Sequence, residues 1–137
     1  MFKSDIYRSK PDENPEDVVG AKKPPLHLIP STAEITESLA LAHGAQKYGA
    51  FNWRWKRIKA SIYIAAAKRH LMQLFDGEDK DAESGVSHLA HARACLGILI
   101  DAIALEKMIE DRPATGAATE LIEQYTRKEA DRSNPVY

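Results

Sequence analysis

Apolar residues recur at helical spacing along most of this chain, and nowhere do they alternate with polar ones over the length of a strand. Ser31 followed by Glu34 has the spacing of a capping box, and Ile35, Leu39 and Ala42 then share a stripe. A first helix is therefore predicted from Ser31, fading between Gly44 and Gly49. A second fits Ala60 to Phe75, with Ile64, Leu71 and Phe75 on one face and Asp76-Gly77 as its stop. The third, Val86 to Ile109, is the most hydrophobic (Leu89, Leu96, Leu99, Ile103) and is predicted to be the central core element. Pro113 separates it from a fourth, amphipathic helix over Ala117 to Ala130, with Leu121, Ile122 and Tyr125 expected inward. Tyr48 to Trp53, glycine-bearing and aromatic, reads as a loop. The pattern predicts an all-α domain built as a four-helix bundle.

The first thirty residues differ. Pro11, Pro15, Pro24 and Pro25 lie there, followed by Pro30, with charges between them. That composition disfavours helix and predicts an extended arm over 1–30, with Leu26, Leu28 and Ile29 pinned against the core. The helical domain then spans 31–131 and a tail 132–137.

Composition narrows the class. Of 137 residues, 44% are hydrophobic and 28% charged, an ordinary globular balance. Four helices make a thin core for this length, so burial against further copies, as a homodimer or homotetramer, is expected. Nineteen Lys and Arg against twenty Asp and Glu give a net charge of -1, so no global basic field exists to hold a nucleic acid. One cysteine, Cys95, excludes an internal disulfide and suits a reducing compartment. It reads as a small core residue. The longest apolar run, Ala94 to Ile100, is far short of the roughly 18 residues a membrane span needs. The N-terminus lacks the apolar stretch of a secretory signal, so no membrane partner is expected.

Candidate chemistry concentrates at one place. Asp76, Glu78, Asp79, Asp81 and Glu83 are followed at once by His88 and His91, three apart on the third helix. Carboxylate oxygens with imidazole nitrogens suit Mg²⁺ or Mn²⁺, ions that bridge phosphate oxygens. If the second and third helices pair as a hairpin, His70 approaches His88 or the acidic loop. A solvated acidic turn beside satisfied histidines is the structural alternative. Glu34 and Glu37 form a second carboxylate pair, with Glu34 better explained as part of the helix cap and Glu37 left open.

Lys47, Tyr48, Phe51, Asn52, Trp53 and Arg54 combine cations, ring faces and an amide, the groups that meet phosphates and bases. The alternative is that these rings plug the loop onto the core. Lys22, Lys23, Lys68 and Arg69 are further anion candidates. No Walker loop, dinucleotide fingerprint, nucleophile elbow or paired CxxC occurs.

Several of these residues recur in one order. Lys23-Pro24, Leu28-Ile29-Pro30, Gly44-Ala45-x-Lys47-Tyr48-Gly49-x-x-Asn52-Trp53, Tyr63-x-x-Ala66-x-x-Arg69-His70 and Gly77-Glu78-x-x-Asp81-x-Glu83-Ser84-Gly85-x-x-His88-x-x-His91 resemble the phage dATP/dGTP diphosphohydrolase family over about residues 20 to 105. That family is similar to the MazG-like all-α nucleotide pyrophosphohydrolases.

The resemblance implies Mg²⁺- or Mn²⁺-dependent cleavage of a purine nucleoside triphosphate, dGTP or dATP, to the monophosphate and pyrophosphate. It also implies an oligomeric enzyme in the cytoplasm of a phage-infected cell. The wider superfamily places its metals on ExxE and ExxD pairs. Glu34-x-x-Glu37 and Glu78-x-x-Asp81 match these in letters, although the second falls in the predicted loop. Glu78, Asp81, Glu83 and His88 are accordingly the first metal candidates, and Glu34 and Glu37 the alternative. Glu83 or His70 is the candidate general base. Lys23, Lys47, Tyr48, Asn52, Trp53 and Arg69 are the candidate nucleotide contacts. Two other readings compete. One is a non-catalytic helical interaction module. The other is a triphosphohydrolase of the His-Asp type, disfavoured because no His-Asp dipeptide occurs.

Overall fold

A computed structural model describes residues 12–127. The start of the expected arm, the last residues of the expected fourth helix and the expected tail lie outside the described residues.

The arm is not wholly extended. Asn14 accepts a hydrogen bond from the Glu16 amide at 2.9 Å and Pro15 occupies the first helical turn, so a short helix α1 forms over Pro15–Gly20. Proline is tolerated there because the first amides of a helix have no carbonyl partner. A 3-10 turn follows at Leu26–Leu28. Leu26 and Leu28 stay largely exposed, contrary to the expected docking on the core.

Helix α2, Ser31–Tyr48, begins one residue earlier than a Ser31 cap requires. Pro30 takes the cap position, with no side-chain cap, and Ser31 is the first helical residue. The helix runs through Gly44, whose cost of about 1 kcal/mol is small against 18 residues of helix. It stops at Gly49, where φ is 88°, a value that glycine reaches without a Cβ clash. The aromatic segment is then a single helical turn, α3 (Asn52–Trp55), rather than a loop.

Strand β1, Ile58–Lys59, leads directly into α4, Ala60–Phe75, with the predicted boundaries. Asp111 anchors its start from the far end of the chain, accepting from the Ser61 amide at 2.8 Å and from the Ser61 hydroxyl. Helix α5, His88–Ala104, ends five residues before the predicted stop. Leu105 caps it, Glu106 takes a left-handed φ of 55°, and Met108–Ile109 form β2, parallel to β1 with Ile58 opposite Met108. A two-residue ladder is too short to leave alternation in the sequence, and its partner lies fifty residues away.

The core is built on alanines. Ala40 of α2 packs against Ala90 and Ala94 of α5, and Ala102 meets Trp53 and Ile58. Small side chains let α5 lie close to both α2 and α4, so it is central as predicted, but through different residues. Ile35, Leu39, Leu89, Leu96 and Ile103 are about half exposed, and Phe75 is 92% exposed. Helix α6, Ala118–Tyr125, buries none of its residues, and Leu121, Ile122 and Tyr125 face outward. Among the described residues the packed unit is thus α2, α4 and α5, mostly helical but not a closed four-helix bundle.

Candidate functional site

The hairpin of α4 and α5 brings His70 onto the first turn of α5. The connection folds tightly. Lys80 bridges to Ser87, the Asp81 amide donates to Val86 O at 2.9 Å, and the Ser87 hydroxyl caps α5 at Leu89. His70 Nδ1 lies 2.8 Å from His88 Nδ1, and His88 Nε2 lies 2.7 Å from Glu78 Oε2. A carboxylate only accepts, so Nε2 of His88 carries a proton toward Glu78. His88 is 0% exposed.

The His70 ring stacks on His91, centroids 4.7 Å apart, and His91 Nε2 is 2.7 Å from the Ser84 hydroxyl. Burial first, then the neighbouring His91 and His88, holds the His70 pKa below its ordinary value. The His91 pKa is also lowered, chiefly by burial. Asp81 accepts from the Ser84 amide at 2.9 Å, which keeps its carboxyl below the ordinary carboxylate value.

His70, Asp81 and His88 each offer a ligand atom within 4.8 Å of the other two. Glu78 stands behind His88 as carboxylates commonly stand behind metal-bound imidazoles, orienting the ring. Two nitrogens and one oxygen fit a divalent ion, and this mixed set suits Mn²⁺ or another transition ion better than oxygen-seeking Mg²⁺.

A cavity of about 760 Å³ opens beside this cluster. Its polar end includes Glu37, His43, Lys47, Arg69, His70, Asp81, Glu83 and His91. Lys47 Nζ is 2.7 Å from Glu83 Oε1, and the pair raises the lysine pKa and lowers the glutamate's. Glu37 is held by Arg93 at 3.1 Å and lies against Gly97, where an added Cβ would meet Glu37 Oε1 at 2.7 Å. The other end is aromatic. Phe51 and Trp53 lie 5.3 Å apart, and the Arg54 guanidinium sits 4.5 Å from the Phe51 centroid. Asp101 ties this end down, accepting from Trp53 Nε1 at 2.6 Å and from Arg54 Nε and Nη2 at 2.9 and 3.1 Å.

Of the residues singled out in the sequence, Glu37, Lys47, Tyr48, Asn52, Trp53, Arg69, His70, Asp81 and Glu83 line this one cavity. His88 and Glu78 stand behind His70. Lys23 lies elsewhere, in a shallow depression beside α1, and Glu34 is not part of the cavity wall. Cys95 is half-buried on the wall, and burial raises its thiol pKa. His43, Asp101 and Gly97 were not anticipated. Their roles depend on partners 40 to 60 residues away in sequence, and only the spacing of His43 from Lys47, one turn on a helix, was available as a signal.

A helical hairpin that lodges a histidine-carboxylate cluster beside cations and exposed rings defines a candidate site for a phosphorylated, ring-bearing ligand. The chain belongs to the family described as dATP/dGTP diphosphohydrolase, N-terminal, which it matches over residues 13–112. It is 36% identical over 104 residues to the dATP/dGTP diphosphohydrolase of Salmonella phage PMBT28. That alignment covers 74% of this chain and 34% of the phage protein, so the chain spans about a third of the length of that relative. No solved structure matches it significantly. Among the described residues no helix is long and apolar enough to cross a membrane.

Proposed function

We propose that this chain hydrolyses a purine deoxynucleoside triphosphate, dGTP or dATP, to the monophosphate and pyrophosphate with the help of a divalent ion. The observation that carries the reading is the single cavity, which joins the His70–Asp81–His88 cluster and two cations to an aromatic end, in a chain of this family. His70, Asp81 and His88 would hold the ion. When bound, the ion supplies neutralising charge for the triphosphate and acidifies water.

The chain's own groups do the rest. Arg69 and Lys47 meet phosphate oxygens, offsetting the charge that grows on the leaving pyrophosphate. Lys47 is paired with Glu83 in the free protein. A phosphate that draws Lys47 away leaves the Glu83 carboxylate without its cation, which raises its basicity and fits it to take the proton of the attacking water. Substrate binding thereby prepares the base.

Assembly into a homodimer or homotetramer belongs to the same proposal. Its support is the apolar surface the single chain leaves open, notably Phe75, Met72 and Ile35. The catalytic reading is tested by incubating the chain with each common NTP and dNTP and Mn²⁺ or Mg²⁺, then separating the products by chromatography. Purine deoxynucleoside monophosphate with pyrophosphate is expected. Release of orthophosphate, release of intact triphosphate, or no turnover would defeat it.

A further inference from the structure

Three features of the aromatic end have no part in holding the fold's core. Phe51 has a left-handed backbone, φ 56° and ψ 30°, a region that bulky residues rarely occupy. The residue is 51% exposed and lines the cavity. The Arg54 guanidinium stands over the Phe51 ring and is itself held in a two-bond grip by Asp101. Strained backbone of this kind persists only where the surroundings enforce it, and it clusters at ligand sites. Trp53 behaves differently. It is 9% exposed, its indole N–H is spent on Asp101, and it belongs to the core cluster with Ile58 and Ala102. A buried indole with its donor already engaged offers no open face to a base.

We infer that Phe51 is the stacking surface for the heteroaromatic base of the nucleotide, and that Asp101 is the residue that positions it through Arg54, with Trp53 as anchor. The inference rests on the nucleotide reading above and assigns the base end of that site. Arg54 and the tilted Trp53 ring, 5.3 Å away, flank the Phe51 ring, and its half-exposed remainder faces the cavity for a planar base; stacking of this type contributes about 1–3 kcal/mol per base, which is roughly five- to 150-fold in affinity. Phe51 therefore favours large bicyclic bases, while the metal cluster and Lys47 handle the phosphates.

The test uses the full chain with Mn²⁺ and three probes: the α,β-methylene analogues of dATP and dGTP, which cannot be cleaved at that bond, and inorganic tripolyphosphate, which has no base. Binding is followed by titration calorimetry. Phe51→Asn removes the ring but suits a left-handed backbone, so the fold should be kept. It is expected to weaken both analogues about tenfold and leave tripolyphosphate within twofold, with no fall in Tm. Phe51→Trp should restore analogue binding. Asp101→Asn should weaken the analogues severalfold and again spare tripolyphosphate. Unchanged analogue affinity in Phe51→Asn, or a parallel loss for tripolyphosphate, overturns the inference. A wild-type chain that binds tripolyphosphate no more weakly than the analogues keeps the phosphate end and removes the base platform. A wild-type chain that binds none of the three sinks the nucleotide reading itself, and the inference with it.

Discussion

Gly97 offers the sharpest test of how the cavity is built. It lies in the middle of α5, away from any turn, yet an alanine methyl there would sit 2.7 Å from Glu37 Oε1, while ordinary contact begins at 3.4 Å. The Glu37 carboxylate must therefore retreat by roughly 0.7 Å, within the distance range over which dispersion contacts turn repulsive. The obstructing atom is the end of a flexible side chain, so the helix itself need not move. Replacing glycine by alanine in a helix interior gains about 0.5–1 kcal/mol, against which stands the disturbed pair of Glu37 with the half-exposed Arg93, worth about 0–1 kcal/mol.

Gly97→Ala should consequently melt at or slightly above the wild-type temperature. Activity should fall if Glu37, the alternative ion ligand that lines the cavity, serves the site, because misplacing such a group by about 1 Å costs on the order of a hundredfold, and the shift here is somewhat less. A ten- to hundredfold loss of kcat/KM is the expectation, measured by product chromatography beside a thermal melt. In a Glu37→Ala background the same substitution should cost nothing further, since the clashing oxygen is gone. Wild-type activity in Gly97→Ala would remove Glu37 from the site. Loss of activity together with a drop in Tm would show instead that the methyl disrupts helix packing.

Glu78→Gln should weaken Mn²⁺ binding ten- to a hundredfold in titration calorimetry while leaving the circular dichroism unchanged, because it disturbs the orientation of His88; unaltered affinity would place the ion elsewhere. Asp101 has its pKa held below the ordinary 3.8 by Arg54 and then Trp53, so its grip is complete above 3.8 and is lost only as pH falls through the lowered value. In a Trp55→Phe chain, Trp53 fluorescence should stay constant down to about pH 4 and change below it; a transition centred near neutrality would contradict this. Light scattering should give a mass that is a multiple of the single chain's 15.3 kDa, and a value near 15.3 kDa across the micromolar range would reject self-association.

The sequence by itself determined the long helices α2, α4 and α5. Helix α4 has the bounds read from its periodicity and its Asp-Gly stop, and His70, His88 and Asp81 converge as a hairpin of α4 and α5 requires. Local propensity, spacing and stop signals are short-range physics, and they are written in neighbouring letters. The chemistry of the cluster was legible for the same reason, since residue type fixes what an atom can donate or ligate.

Tertiary structure decided the rest. Periodicity assigned Ile35, Leu39 and Phe75 to the interior, but the chain packs its alanines there, because the distance between helix axes depends on both partners at once. Pro30 rather than Ser31 at the start of α2, the β1–β2 ladder, the Asp111 anchor, the left-handed Phe51 and the space Gly97 leaves for Glu37 each depend on backbone geometry or on a distant partner. A hydrogen bond across fifty residues leaves no pattern in the sequence near either end. That is why the histidine-carboxylate cluster and the rings of the aromatic end could be named from the letters, while Asp101, the left-handed backbone of Phe51 and the fit of Gly97 against Glu37 appeared only when the chain was folded.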